Sequence, residues 1–359
     1  MLIMFEPDPP ALRCCRTNEH PGSGEVFKFV PRWDKHDEDN IGNMQDVEGF
    51  GYVLYQGGER ITRPAGFLSP RSQHLLEEVV SLRPARNDLI AKAVRYWMER
   101  CPKVPHMLFC ETAFFVDLPR TASTYAVPYE LRGKGIKRYG GYGLCHEWVW
   151  EQAQLLLGDF VRSVVSVYLG DHTNVAAMAD GKPVETTIGF TPVEGILSAG
   201  GCGDIDATIV FELRAAGMSL EGINHVLSSE SGLTGLAGRP CSFRDLMTQQ
   251  EDPALAPVRE ILRHSITSYI GAFVAVLGRV DAVVFVSEHP HESQGFIRSL
   301  CQKFGPLGPK FKLEEAGGEQ DPILTEADSP VSVVCLGYNK WTTMAAKFKD
   351  LLAKRGKNG

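Results

Sequence analysis

Four short loops of this chain concentrate the side chains that could do chemistry. The turn after the apolar run 164–169 reads Gly170-Asp171-His172, and the apolar run 282–286 opens into Ser287-Glu288-His289-Pro290-His291-Glu292. A glycine at such a turn lets backbone N–H groups close on an anion, whereas a carboxylate beside it repels one. The other two loops carry Cys145-His146 and the glycine-rich SAGGCGDIDA (198–207), with Cys202, Gly203 and Asp204. Nitrogen, sulfur and oxygen donors of this kind are ligands for zinc or a similar ion. Cys145, Cys202, His289 and His291 are therefore weak metal candidates, and His289-x-His291 can place both imidazoles on one side of an extended loop. No CxxC or HExxH spacing supports them, so no metal is assigned. A Cys-His nucleophile pair has the same weakness, since adjacency in sequence does not supply the geometry.

The elements that must position these loops alternate. LIMF (2–5), VLY (53–55), HMLFC (106–110), AVVFV (282–286) and VSVVCL (331–336) read as strands. VVSVYL (164–169) and PVETTI (183–188) read as the arms of a hairpin. Helical spacing covers 88–101, 207–216, 219–228, 254–277, 291–304 and 340–355, and Pro102 and Pro105 end the first of these. The acidic stretch 313–330 reads as a surface excursion. Alternating strands and helices with hairpins among them argue an α/β chain with mixed sheets.

Composition narrows the class. The 359 residues are 43% hydrophobic and 23% charged with a formal charge of −7, which suits a soluble globular chain of two domains and gives no reason to expect a nucleic acid polymer. Nine cysteines without a CxxC pair fit a reducing cytosol, and Cys110, Cys301 and Cys335 sit in apolar runs as core residues do. The opening MLIMFEPDPP lacks a basic stretch and is broken by Glu6, which argues against a secretory signal. The apolar run 269–277 is too short for a bilayer. The expectation is a cytoplasmic protein that needs no membrane.

Several longer stretches resemble the acetate kinase family of the acetate/sugar kinase and actin superfamily. They are CETAFFVDLPRTASTYAVPYEL (110–131), IKRYGGYGLCHEWV (136–149), VETTIGFTPVEGIL (184–197), GCGDIDATIV (201–210), SGLTGLAG with FRDL (231–246) and DAVVFV (281–286), in family order. The resemblance implies two actin-like (ribonuclease H-like) domains, with mixed sheets flanked by helices around an interdomain cleft. It implies 1–113 plus 336–359 as the first domain and 114–335 as the second. It also implies ATP- and Mg²⁺-dependent phosphotransfer to a small carboxylate, and a homodimer. Carried over residue by residue, it assigns Glu111 and His146 to catalysis. Arg13, Gly170, Asp171, His172, Gly203, Asp204, Arg244 and Ser287 fall to cofactor binding. Asn87 and Asp206 are further matches. Each retained residue also has a plainer role open to it: Asp204 and Asp206 as helix caps, Arg244 as a surface ion pair, His146 as a hydrogen-bonded core histidine.

The departures gather where the family's chemistry lies. Its first phosphate loop, N-x-G-S-S-S-x-K, falls on Glu6, Pro9, Pro10 and Ala11, with only Arg13 kept in kind. Prolines lack the N–H, and a carboxylate repels phosphate. The arginine of G-H-R-V-V-H-G-G is Val53 and its second histidine is Gln56; the arginine of G-T-R-[SC]-G-D-I-D is Gly201. The histidine of F-H-G-T-S-H is Tyr142, and the G-G-I-G-E-N loop is Ser287 to Glu292. T-N-E-E is set approximately against 336–339. A dispersed phosphoryl charge needs guanidinium groups that valine and glycine cannot replace in place. The expectation is a homologue without ordinary ATP:acetate phosphotransfer that binds a carboxylate, nucleotide or partner. The alternative is a divergent ATP-dependent carboxylate kinase charged by Arg13, Arg83, Arg86 or Arg244.

Overall fold

The computed structural model describes residues 1–17, 24–82, 84–305, 307–312 and 321–357, which form two units. Unit 1 comprises Met1–Val116, Gly141–Cys145 and Asn339–Gly359; unit 2 comprises Asp117–Gly140 and His146–Tyr338.

In unit 1 the strands are β1 (Leu2–Asp8), β2 (Ala11–Thr17), β3 (Glu25–Phe29), β4 (Gly49–Leu54), β5 (Ala65–Phe67) and β6 (His106–Cys110). They form one mixed sheet in the order β3-β2-β1-β4-β6-β5. β1, β4 and β6 run parallel, and the hairpin β1–β2 places Glu6 opposite Arg13. The first strand is longer than its apolar run, 2–5. β1 continues through Asp8, and Pro9-Pro10 make the turn, where a missing N–H costs nothing. The helix Pro84–Arg100 lies on this sheet and seals the core through stacked Phe5, Phe50 and Trp97, with centroids 5.4–6.3 Å apart.

Unit 2 holds β7 (Ser163–Leu169), β8 (Asn174–Ala179), β9 (Lys182–Thr186), β10 (Ala282–Ser287) and β11 (Ser332–Gly337), ordered β11-β10-β7-β8-β9. β7 pairs with β8 and not with the 183–188 segment. The polar turn 170–173 is itself the hairpin loop, and Asp180-Gly181 makes a second one. The helix Ala256–Leu277 buries Val258, Leu262, Ile266, Ile270 and Phe273, one apolar stripe at near four-residue spacing. Residues 313–320 of the acidic stretch lie outside the described residues. Its remainder packs as well as projects: Leu324 is buried and its N–H donates to the Val333 carbonyl at 2.8 Å. Among the described residues no helix is long and apolar enough to cross a membrane.

Candidate functional site

The end of the β1–β2 hairpin in unit 1 carries a buried charge cluster. Glu6, the sixth residue of the chain, is 4% exposed. One carboxylate oxygen receives the Tyr55 hydroxyl at 2.5 Å and the Lys340 ammonium at 2.5 Å; the other faces Arg13 at 3.1 Å. Lys340 Nζ also lies 3.2 Å from Glu111 Oε1 and over the rings of Tyr55 and Tyr142, at 5.3 and 5.7 Å. Burial by itself would raise the Glu6 carboxyl. The Lys340 charge, the hydrogen bonds from Lys340 and Tyr55, and Arg13 outweigh it and hold the group near about 2. Burial pulls Lys340 the other way, and Glu6, Tyr55 and Glu111 together push it well above the ordinary lysine value. Both partners are therefore ionised at neutral pH.

Glu111, placed by the end of β6, has both oxygens engaged. Oε1 faces Lys340 and Oε2 accepts the Leu144 N–H at 3.2 Å, while its carbonyl accepts the Gly143 N–H at 2.9 Å. Cys145 is buried, and desolvation followed by the Glu111 charge raises its thiol well above the ordinary value, away from a nucleophilic thiolate. Val53 is fully buried in an apolar cluster with Met4, Met107, Phe109 and Phe348. Lys340 and Tyr55 are the residues of this cluster that sequence patterns did not mark, whereas Tyr142 stood there only in place of a family histidine. The available signal was helical: Asn339 caps the helix Lys340–Lys357 by accepting the Thr342 N–H at 3.1 Å, and Leu336 and Gly337 belong to β11. Arg83 lies outside the described residues.

Unit 2 gathers the remaining expected residues in separate local networks. His146 is fully buried, with Nε2 2.7 Å from Asn174 Oδ1 and Nδ1 2.8 Å from Ser166 Oγ. Asn174 spends its N–H on the His172 carbonyl, so its oxygen accepts and His146 carries its proton on Nε2. Burial lowers this histidine to about 4, against a smaller opposing contribution from Asn174, so it is neutral at pH 7. In the turn, the Gly170 N–H reaches Thr173 Oγ1 at 3.4 Å, and Asp171 Oδ1 accepts the Phe243 N–H at 2.8 Å. Arg244 is held bidentately by Glu292, at 2.7 and 3.0 Å. Ser287 Oγ accepts the His289 N–H at 3.1 Å, and Pro290 opens the helix Pro290–Cys301.

The glycine-rich segment closes on itself. Gly203 has φ +71°, and Asp204 Oδ1 accepts the Gly195 N–H at 2.8 Å while its other oxygen takes the Tyr269 hydroxyl. The Cys202 thiol, raised by burial, donates to the Gly203 carbonyl at 3.1 Å. A side chain begun at Gly201 would put its Cβ 2.6 Å from Ser198 Oγ. His289 and His291 are exposed. Among the described residues no three His, Cys, Asp or Glu side chains gather as a metal site.

These donor sets do not fit a nucleotide polyphosphate with its magnesium. At the unit 1 hairpin two acids and a lysine neutralise one another beside a proline turn. In unit 2 a carboxylate already takes the helix-terminal N–H at Phe243, and a proline removes one at 290.

The two mixed, helix-flanked sheets define an actin-like α/β protein. Solved structures of acetate kinase from Porphyromonas gingivalis (TM-score 0.86, 20% identity, covering 98% of this chain and 99% of that one) and propionate kinase from Francisella tularensis (0.82, 20%, 96% and 97%) share this fold. The Acetokinase family model matches residues 24–346, and the chain belongs to that family. It is 30% identical over 322 residues to acetate kinase of Clostridium novyi, covering 88% of this chain and 80% of the relative. It is 32% identical over 312 residues to that of Halothermothrix orenii, covering 85% and 78%.

Proposed function

We propose that this acetokinase-family protein has given up ATP:acetate phosphotransfer and works as a binding protein for a small carboxylate. The observation that carries the reading is the Lys340–Glu6–Glu111 cluster. Phosphoryl transfer needs uncompensated cations and open N–H groups aimed at developing negative charge. Here the buried cation is neutralised by two carboxylates of its own unit. The family's two arginine positions hold Val53, which is core, and Gly201, where a Cβ already crowds Ser198. The family's ATP and Mg²⁺ then have no role in turnover.

The test is hydroxylamine trapping of acyl phosphate from acetate, propionate and butyrate with Mg²⁺-ATP, beside thermal melts with and without millimolar Mg²⁺-ATP. No hydroxamate and no thermal shift are expected. A ligand at about one hundred times its Kd would stabilise by roughly 2.7 kcal/mol, so binding would be visible. Magnesium-dependent hydroxamate formation would end the reading. The same proposal includes a cytoplasmic homodimer. In unit 2, Ile205, Ile209, Phe211 and Leu220 lie exposed within one short stretch, an apolar area suited to a second copy.

A further inference from the structure

The helix Ala256–Leu277 of unit 2 has a second face beside the stripe it buries. Glu260, Ile261, Arg263, His264 and Thr267, with Lys303 from just past the helix Pro290–Cys301, line a cavity of about 340 Å³. That volume lies at the lower end of the roughly 300–1,000 Å³ of small-molecule sites. Lys303 follows the carboxyl end of a 12-residue helix whose first turn carries Glu292, the partner of Arg244. At about 1.5 Å per residue that helix sets the two places roughly 18 Å apart, so the cavity stands clear of the Arg244–Glu292 loops.

The lining is rich in positive groups and poor in acids. Glu260 accepts one N–H of Arg263, and that guanidinium makes no other hydrogen bond among the described residues. Neither the Lys303 ammonium nor the His264 ring meets a carboxylate among them. An ion pair one helical turn apart and a lysine past a helix end are each ordinary surface features. Their convergence with a histidine on one hollow is not, because cationic donors that share a concave space repel one another until an anion enters. Acceptors stand beside these donors. The Thr267 hydroxyl donates to the Arg263 carbonyl at 2.8 Å, which leaves its oxygen as an acceptor, and Glu260 keeps its second oxygen.

We propose that this cavity binds a phosphomonoester with a short, neutral, hydroxyl-bearing body. Arg263, Lys303 and His264 donate to the phosphate oxygens, which accept from several directions at once. The body lies against Ile261, and its hydroxyls donate to Thr267 Oγ1 and to the second Glu260 oxygen. The same carboxylate sorts ligands. A dicarboxylate brings its second negative charge against Glu260, whereas a hydroxyl finds an acceptor there. The site is independent of the carboxylate-binding reading, since all six lining residues belong to unit 2 and the Lys340–Glu6–Glu111 cluster belongs to unit 1.

Isothermal titration of the full chain with glycerol phosphate, inorganic phosphate, succinate and glycerol tests it. Glycerol phosphate is expected to bind saturably below about 10 mM, and inorganic phosphate about tenfold more weakly for want of the body. Succinate and glycerol should bind more weakly than either. Lys303→Met and Arg263→Met should each weaken glycerol phosphate by about tenfold or more. Lys303 is exposed, so its variant keeps the fold and carries the test even where Arg263→Met does not. Lys354→Met, on the last helix and paired with Asp350, should leave binding unchanged and so mark the effect as local. Glu260→Gln should narrow the gap between succinate and glycerol phosphate. No saturable heat from glycerol phosphate at about 10 mM, or a Lys303 variant that binds it like the parent, overturns the site. Succinate binding as tightly as glycerol phosphate in the parent, or a gap just as wide in Glu260→Gln, overturns the ligand class.

Discussion

Replacing Lys340 by methionine removes the one ammonium held by both Glu6 and Glu111, and the structure sets the size and the pH signature of the loss. In the parent, Glu6 is held at about 2 against an ordinary 4.5. That gap corresponds to about 3 kcal/mol at roughly 1.36 kcal/mol per pH unit, an order-of-magnitude figure for a group so buried. It agrees with the roughly 3–5 kcal/mol typical of stripping one partner from a buried ion pair. Because the folded carboxyl titrates lower than the unfolded one, this stabilisation is complete above pH 4.5 and fades as the pH falls through about 2.

In Lys340→Met the burial cost is no longer outweighed by that ammonium, and the folded Glu6 carboxyl moves upward. Protonation then relieves the strain, so the deficit relative to the parent should shrink between neutral pH and about pH 4.5. Urea melts of the parent and the variant at pH 7.5, 6 and 5, followed by tryptophan fluorescence, measure this. Adding Glu6→Gln closes a double-mutant cycle in which the combined loss should fall short of the sum. A deficit under about 0.5 kcal/mol at pH 7.5, or one of the same size at pH 5, would refute the claim that Lys340 is the counter-ion of buried carboxylates.

Other consequences follow from the same geometry. His146 titrates at about 4 in the fold against 6.5 outside it, so its contribution is complete above pH 6.5 and is lost as the pH falls through about 4. His146→Leu should strand Ser166 and Asn174, cost about 2–4 kcal/mol and flatten that part of the pH–stability curve; an unchanged curve would contradict the assignment. Gly203→Ala places a Cβ 2.7 Å from the Gly195 carbonyl at φ +71°, and a urea midpoint lowered by about 2 kcal/mol or more is expected. Phe211→Glu with Leu220→Glu should convert a dimer to a monomer in sedimentation velocity without changing the melt of either unit. Val53→Arg should destabilise rather than restore phosphotransfer, because the position is surrounded by apolar side chains.

The strands and long helices were legible because their apolar residues repeat at the period of the element: HMLFC is β6 as it stands, and 254–277 differs from the observed helix by two residues at its start. Strand β8 and the three-strand meander were not, since β8 (NVAAMA) is made largely of small residues and the 183–188 segment, with two threonines and an isoleucine, competed for its place. β2 was hidden by its charges, Arg13 and Arg16, which meet their partners Glu6 and Glu25 only once the neighbouring strands are paired.

The sequence by itself determined the family and the α/β class, because those depend on residue identity and periodicity along short segments. Only the tertiary structure decided what became of the charges left behind. Glu6 and Lys340 stand 334 positions apart, and no local pattern marks them as partners. Their meeting depends on where the last helix lies against the first hairpin. So does the sign of the effect, since the same carboxylate that repels a phosphate on paper is, in the fold, already spent on a lysine.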